Sequence, residues 1–222
     1  MKRIYKGQPP TSFIEYKREE GASFEEMDGN VKIELQKSLL NEQNGVCAYC
    51  QQIINSPDKN YMKIEHHCEQ SICNGENGTV DRRLDYQNLF AVCLGSISYL
   101  NVRHCDTKKG DEKVRNMLPI SMNPLEFNHI KTLRYTNAGT VKSSKTIFQD
   151  EIDIVLNLNN DLLKGLRKKE WFEIISASRQ KTGGFNKTKM KKLIDSRLAL
   201  LEGKYRYAFP AMYEFMIEKF KL

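Results

Sequence analysis

Apolar residues recur at 31, 33, 35, 39 and 40, with good helix formers between them. That spacing predicts one short helix over 31–40, and Asn44-Gly45 behind it supplies a glycine stop. Ahead of it, the first 30 residues mix Pro9-Pro10, Gly21 and Gly29 with short apolar patches, the pattern of an irregular arm. From 46 to about 118 the periodicity breaks up. Short apolar runs at 61–66 and 89–93 predict strands, and 108–117 predicts the start of a helix. Beyond Pro119 and Pro124, the run 129–135, the turn residues Asn137-Ala138-Gly139 and the pair 140–141 predict a β-hairpin. From Ile147 the pattern is helical. Ile152, Val155 and Leu156 form one stripe, and Leu162, Leu163 and Leu166 form another behind an Asn159-Asn160 cap. A basic stretch holding Gly183-Gly184 leads into a last helical region over about 189–220, interrupted at Gly203 and Pro210. There is no internal repeat. The expected class is α+β in three stretches: an arm and helix over 1–46, positioned to contact a partner, a Cys- and His-rich core over 47–118, and a hairpin with helices over 119–222.

Composition narrows the class. With 222 residues, 40% hydrophobic and 28% charged, the chain is neither disordered nor fibrous. No apolar run approaches the roughly 20 residues of a membrane-spanning helix, so no membrane partner is expected. The basic start Met1-Lys2-Arg3 has no apolar stretch behind it, so it does not read as a secretory signal, and a cytoplasmic location is expected. The formal net charge is +7, and its excess lies entirely in 119–222, which holds nineteen Lys/Arg against eleven Asp/Glu. A basic surface of that kind attracts polyanions, nucleic acid first among them.

Six cysteines in a reducing compartment argue for metal binding or burial over disulfides. Cys47-Ala48-Tyr49-Cys50 is a C-x2-C knuckle, whose two thiolates can reach one ion from a single tight turn. Tetrahedral structural zinc needs a second pair, and two are on offer: Cys68 with Cys73, or Cys93 with Cys105. Between them lies Glu65-His66-His67-Cys68. A histidine can take a proton from water near neutral pH, and the carboxylate before it is a hard oxygen ligand suited to Mg²⁺ or Mn²⁺. Alternation along a strand points His67 away from His66.

The order C-x2-C, Ile64-Glu65-His66, Asn88-Leu89 before Cys93, then Cys105-Asp106-x-Lys108-Lys109-Gly110 resembles the HNH, or ββα-metal, nuclease family. The resemblance implies two strands and a helix around one divalent ion, with a zinc clamp at the base. By that resemblance His66 is the general base, Glu65 and Asp106 hold the catalytic ion, and Asn88 braces the loop that orients the histidine. Cys47, Cys50, Cys93 and Cys105 would then hold the zinc, leaving Cys68 and Cys73 as free or buried thiols. Eleven residues separate Cys93 from Cys105, so an inserted loop has to be accommodated, and Asp106 stands where the family has His or Asn. Lys108 and Lys109, at a helix start, are expected on phosphate. So are Arg179, Lys181, Lys189, Lys191 and Lys192, in a tract without an acid.

A longer set of matches resembles the HNH proteins associated with retron and Septu anti-phage systems. It includes Ile4-Tyr5-Lys6-Gly7, Leu84-Asp85-Tyr86-x-Asn88-Leu89, His104-Cys105-Asp106 and Leu156-Asn157-Leu158-Asn159. What this implies is a bacterial defence effector working with an ABC-type ATPase partner on DNA or RNA. The competing expectation is a zinc-stabilised nucleic-acid-binding or adaptor subunit whose HNH-like residues no longer cut.

Overall fold

A computed structural model describes residues 1–76, 78–97, 101–115, 120–181 and 183–222. The chain is α+β, and among the described residues helices surround four small two-stranded antiparallel sheets.

The arm holds one short helix, α1 (Thr11–Tyr16), which packs on α2 (Gly29–Glu42). The helix α2 starts two residues earlier than its apolar spacing suggests, because the Asp28 side chain caps it by accepting from the Asn30 amide. It buries Leu35, Leu39 and Leu40 and leaves Ile33 outside, and Asn44 and Gly45 take positive φ behind it.

Strands β1 (Met62–His66) and β2 (Leu89–Cys93) pair antiparallel, with Met62 opposite Cys93 and His66 opposite Leu89. Leu89, Phe90, Ala91 and Val92 are all fully buried, so this strand has protein on both faces, including α2 and the helix at Cys105–Lys109. A 3₁₀ turn at Tyr86–Asn88 leads into it, capped by Asp85. The stretch between Cys93 and Cys105 carries a second hairpin, β3 (Ser96–Ile97) with β4 (Val102–Arg103). At its base His104 N–H donates to the Gly95 carbonyl at 2.7 Å, so the chain returns beside its starting point. Helix α3 (Cys105–Lys109) begins there and is followed by α4 (Glu112–Arg115). The helix expected over 108–117 thus begins three residues earlier and breaks at Gly110. Its far end, with the 118/119 boundary, lies outside the described residues.

The hairpin expected from 129 is shorter than its sequence pattern. Residues 127–130 form α5 (Phe127–Ile130), and only β5 (Leu133–Tyr135) pairs with β6 (Val141–Ser143). His129 is held in that helix by accepting from the Asn123 amide and by packing on the Phe148 ring. Gly139, at φ +80°, carries the turn against the helix at Asp161–Ser178, where a Cβ would meet the Lys164 carbonyl at 2.0 Å. Then follow α6 (Thr146–Asp150), a π turn at Glu151–Val155, and α7 (Asp161–Ser178) with Asn160 as its cap. The last basic and apolar stretch resolves into α8 (Lys187–Leu198), a hairpin of β7 (Leu200–Leu201) and β8 (Lys204–Tyr205), and α9 (Pro210–Phe220) with proline at its first turn. One cluster of buried apolar side chains draws on 1–46, 47–118 and 119–222 alike. Among the described residues no helix is long and apolar enough to cross a membrane.

Candidate functional site

The knuckle at 47–50, the end of β2 and the start of α3 bring four sulfurs together. Cys47, Cys50, Cys93 and Cys105 have their Sγ atoms within 4.8 Å of one another. The Cys50–Cys93 separation is 3.6 Å, and both Cys47–Cys105 and Cys93–Cys105 are 3.9 Å. A tetrahedron with Zn–S bonds of ~2.3 Å has edges of about 3.8 Å. The cluster is therefore the size of a four-thiolate zinc site, and these residues fit such an ion. His104 Nδ1 lies 3.2 Å from the Cys105 sulfur, where it can hydrogen-bond a thiolate from outside the four. Cys105 adopts φ +54°, a left-handed conformation that a non-glycine residue holds only when its surroundings demand it.

Cys68 and Cys73 take no part in that cluster. They are joined in a disulfide, with Cα atoms 6.0 Å apart, which corrects the expectation of free or buried thiols. The turn between them explains the pairing: the amides of Ile72 and Cys73 both donate to the Glu69 carbonyl at 2.9 Å and fold the segment back on itself.

Beside this ring lies a cavity of about 340 Å³, lined by Ile64, Glu65, His66, Glu69, Gln70, Ser71, Asp106, Lys109 and Gly110. Glu65 and His66 end β1, and Asp106 enters from α3, so residues 40 positions apart share one wall. His66 Nε2 lies 2.9 Å from the Arg83 carbonyl. A carbonyl only accepts, so the neutral ring carries its hydrogen on Nε2 and keeps Nδ1 as its basic nitrogen. Burial lowers the His66 pKa below its ordinary value, opposed by that carbonyl, so the ring is neutral at neutral pH. Phe24, from the arm, packs edge-on against the imidazole with ring centroids 4.4 Å apart. Asn88 sits behind the wall. Its Oδ1 accepts from the Cys68 amide at 2.7 Å, and its Nδ2 donates to the carbonyls of Cys68 and Arg82. It ties both ends of the 68–82 loop together, next to the carbonyl that orients His66.

Glu65 is buried, and its Oε1 accepts from Tyr49 Oη at 2.9 Å and from Lys109 Nζ at 2.6 Å. Burial, opposed by Lys109 and reinforced by Asp106, pushes its pKa up to about 8. Burial also works against ionisation of Asp106, but the hydrogen bond with Glu65 and the ammonium of Lys63 at 3.2 Å outweigh it and hold the pKa low. These two interacting carboxyls share the wall with the buried Gln70 Oε1, which has no hydrogen-bond partner among the described residues.

The lysines depart from expectation. Lys109 is buried, and its ammonium spends its hydrogens on Glu65, the His66 carbonyl and the His67 carbonyl at 2.6, 2.7 and 3.1 Å. It cannot also hold phosphate; it anchors the acid and the strand end. Lys108 pairs with Asp111 and is not part of the cavity wall. Arg179 follows the last residue of α7, Lys189, Lys191 and Lys192 lie on α8 with Lys181 before it, and none of the five lines the cavity. Lys191 pairs with Asp195. His67 points the other way from His66, to the Met122 carbonyl at 3.2 Å. The roles of Phe24, Tyr49, Lys109 and the Arg83 carbonyl were not readable from sequence. Only Tyr49 had a local signal, its place inside the cysteine knuckle. No family model matches this chain, and no curated protein sequence matches it.

Proposed function

We propose that this chain is a metal-dependent phosphodiester hydrolase of the HNH type, cutting nucleic acid. One observation carries the reading: an imidazole with its basic nitrogen kept free of the proton and two interacting carboxyls line a single cavity over a zinc-sized cysteine cluster. The order of the elements, β1, β2 and then α3, supports it, because a strand pair and a helix deliver these three groups from the same sequence positions that suggested the resemblance.

In this reading His66 takes a proton from water at Nδ1, while its Nε2–H stays on the Arg83 carbonyl. The neutral form does this work, so the rate falls as pH drops and the ring is protonated. Asn88 keeps that carbonyl in place, and Phe24 limits tilting of the ring. Lys109 and Tyr49 hold Glu65 against Asp106, and those two carboxyls would hold Mg²⁺ or Mn²⁺. Such an ion, when bound, supplies positive charge for the phosphate and the departing oxygen. Lys63 on Asp106 is partly exposed and can leave that carboxylate to a cation. The four cysteines would hold zinc as scaffold. A place in an anti-phage assembly with an ABC-type ATPase follows the sequence resemblance.

The adaptor alternative draws support from the lysines already on both carboxyls, and the same experiment separates the two. Zinc-loaded wild type and His66→Ala are incubated with DNA and RNA substrates and Mg²⁺ or Mn²⁺, alone and with a candidate ABC-type ATPase partner. Loss of the base should lower cleavage about 10²–10⁴-fold with an unchanged fold. Equal cleavage by both proteins removes His66 from the reaction, and none by either, partner included, favours the adaptor.

A further inference from the structure

A second and larger cavity, about 670 Å³, opens between α7, α9 and the turn after β5. It shares no lining residue with the cavity at His66. Its volume falls within the roughly 300–1,000 Å³ of sites that take molecules of a few rings. Its walls are aromatic. Trp171 and Phe220 lie 6.1 Å apart by ring centroid, and Phe185 meets Phe220 edge-on at 6.0 Å. Phe172 is 67% exposed and Phe185 is 38% exposed, so two large rings face water at the same opening.

The charge is one-sided. Lys168, Arg179 and Lys219 line the cavity, and among the described residues no carboxylate does. Among the described residues none of the three cations has an acidic partner, whereas Lys191 and Arg197 nearby are paired. Beyond Arg179, Lys181, Lys187, Lys189 and Lys192 are exposed and continue the basic surface.

Exposed rings interleaved with unpaired cations match one kind of ligand: a polyanion that carries flat apolar faces. We infer that this groove binds single-stranded nucleic acid, with bases against Phe172 and Phe185 and phosphates on Lys168, Arg179 and Lys219. A duplex keeps its base faces stacked and meets only the cations. An acidic protein surface satisfies the cations and leaves the rings without a partner of matching shape. The groove reads strand state rather than base sequence, because every base has a face to stack and a phosphate contact carries no sequence information. This inference does not depend on hydrolysis at His66; a protein that bound here and cut nothing would keep it.

The test uses full-length zinc-loaded His66→Ala protein, so that no probe is consumed. Labelled oligo-dT and oligo-U, a duplex of equal length and an abasic strand are titrated by anisotropy, while emission from Trp171, the chain's one tryptophan, reports contact in the groove. The oligonucleotides should bind at least about 10-fold more tightly than the abasic strand and the duplex, and quench the emission. Phe172→Ala and Phe185→Ala should each remove about 10-fold of that preference and leave abasic binding unchanged. Lys168→Gln should weaken oligonucleotide and abasic strand alike and flatten the salt dependence. Phe172→Leu, which keeps the apolar bulk, should lose the preference too, with an unchanged melting temperature. Equal affinity for bases and abasic backbone, indifference to the phenylalanine substitutions, or binding of poly-glutamate as tight as oligo-dT would overturn it, the last result assigning the groove to an acidic protein.

Discussion

At the scale of single residues, two buried polar side chains decide how the wall behind His66 responds to change. His67 is buried and donates to the Met122 carbonyl, and burial pulls its pKa down to about 4. The folded ring resists a proton that the unfolded ring accepts at the ordinary ~6.5. Its contribution is therefore complete above pH 6.5 and is lost as pH falls toward 4, by an amount on the order of 3 kcal/mol at most. Urea unfolding between pH 7.5 and 4 should show that acid limb, and His67→Gln should flatten it; an unchanged limb would place the sensitivity elsewhere. Lys109 carries the opposite charge problem. Removing its ammonium leaves the Glu65 carboxyl buried with only Tyr49 and Asp106 for company, so Lys109→Met should cost about 3–5 kcal/mol. A loss below about 1 kcal/mol in chemical denaturation would show that the ammonium does not support the wall.

At the scale of elements, the cysteine cluster depends on how closely two chain segments approach. Gly95, at φ +65°, has no room for a side chain, since a Cβ there would sit 2.3 Å from the His104 carbonyl. Gly95→Ala should therefore separate Cys93 from Cys105 and lower zinc content in elemental analysis, much as Cys105→Ser does, whereas Cys68→Ser should retain one zinc per chain. A full zinc complement in Gly95→Ala would mean that the hairpin base yields. Much of this level was legible in the sequence. The strands at 61–66 and 89–93, the helix at 31–40 and the long helix behind Asn160 follow from periodicity and capping residues, which act locally. So did the cysteine knuckle and the pairing of Glu65 with His66, because those groups are near neighbours in the chain. The hairpin between Cys93 and Cys105 was visible only as a surplus of residues, since two-residue strands leave no periodic trace. The disulfide and the burial of Lys109 were hidden for other reasons. The pairing of Cys68 with Cys73 rests on a local turn held by the Glu69 carbonyl, which leaves no periodic signal, and the burial of Lys109 rests on which distant carbonyl and carboxylate oxygens arrive beside the end of α3.

At the scale of the whole molecule, one continuous core joins the arm, the sheet with its cysteines and the C-terminal helices. Far-UV circular dichroism and the emission of Trp171 on α7 should accordingly report one coincident unfolding transition, and separated midpoints would show that the C-terminal layer melts by itself. The same continuity ties the two cavities to a common framework while giving each its own lining. Of the two, only the one at His66 has sulfur chemistry on both sides. Glu69, Gln70 and Ser71 belong to the small covalent ring closed by Cys68 and Cys73, while four thiols gather under the opposite end of the strands. Ring opening needs electrons, and emptying the thiol cluster needs only a competing ligand for the ion. A dithiol reductant applied with excess zinc loosens the rim alone, and a chelator applied without reductant loosens the foundation alone. The two supports can thus be released separately by choice of reagent, in a chain of unaltered sequence.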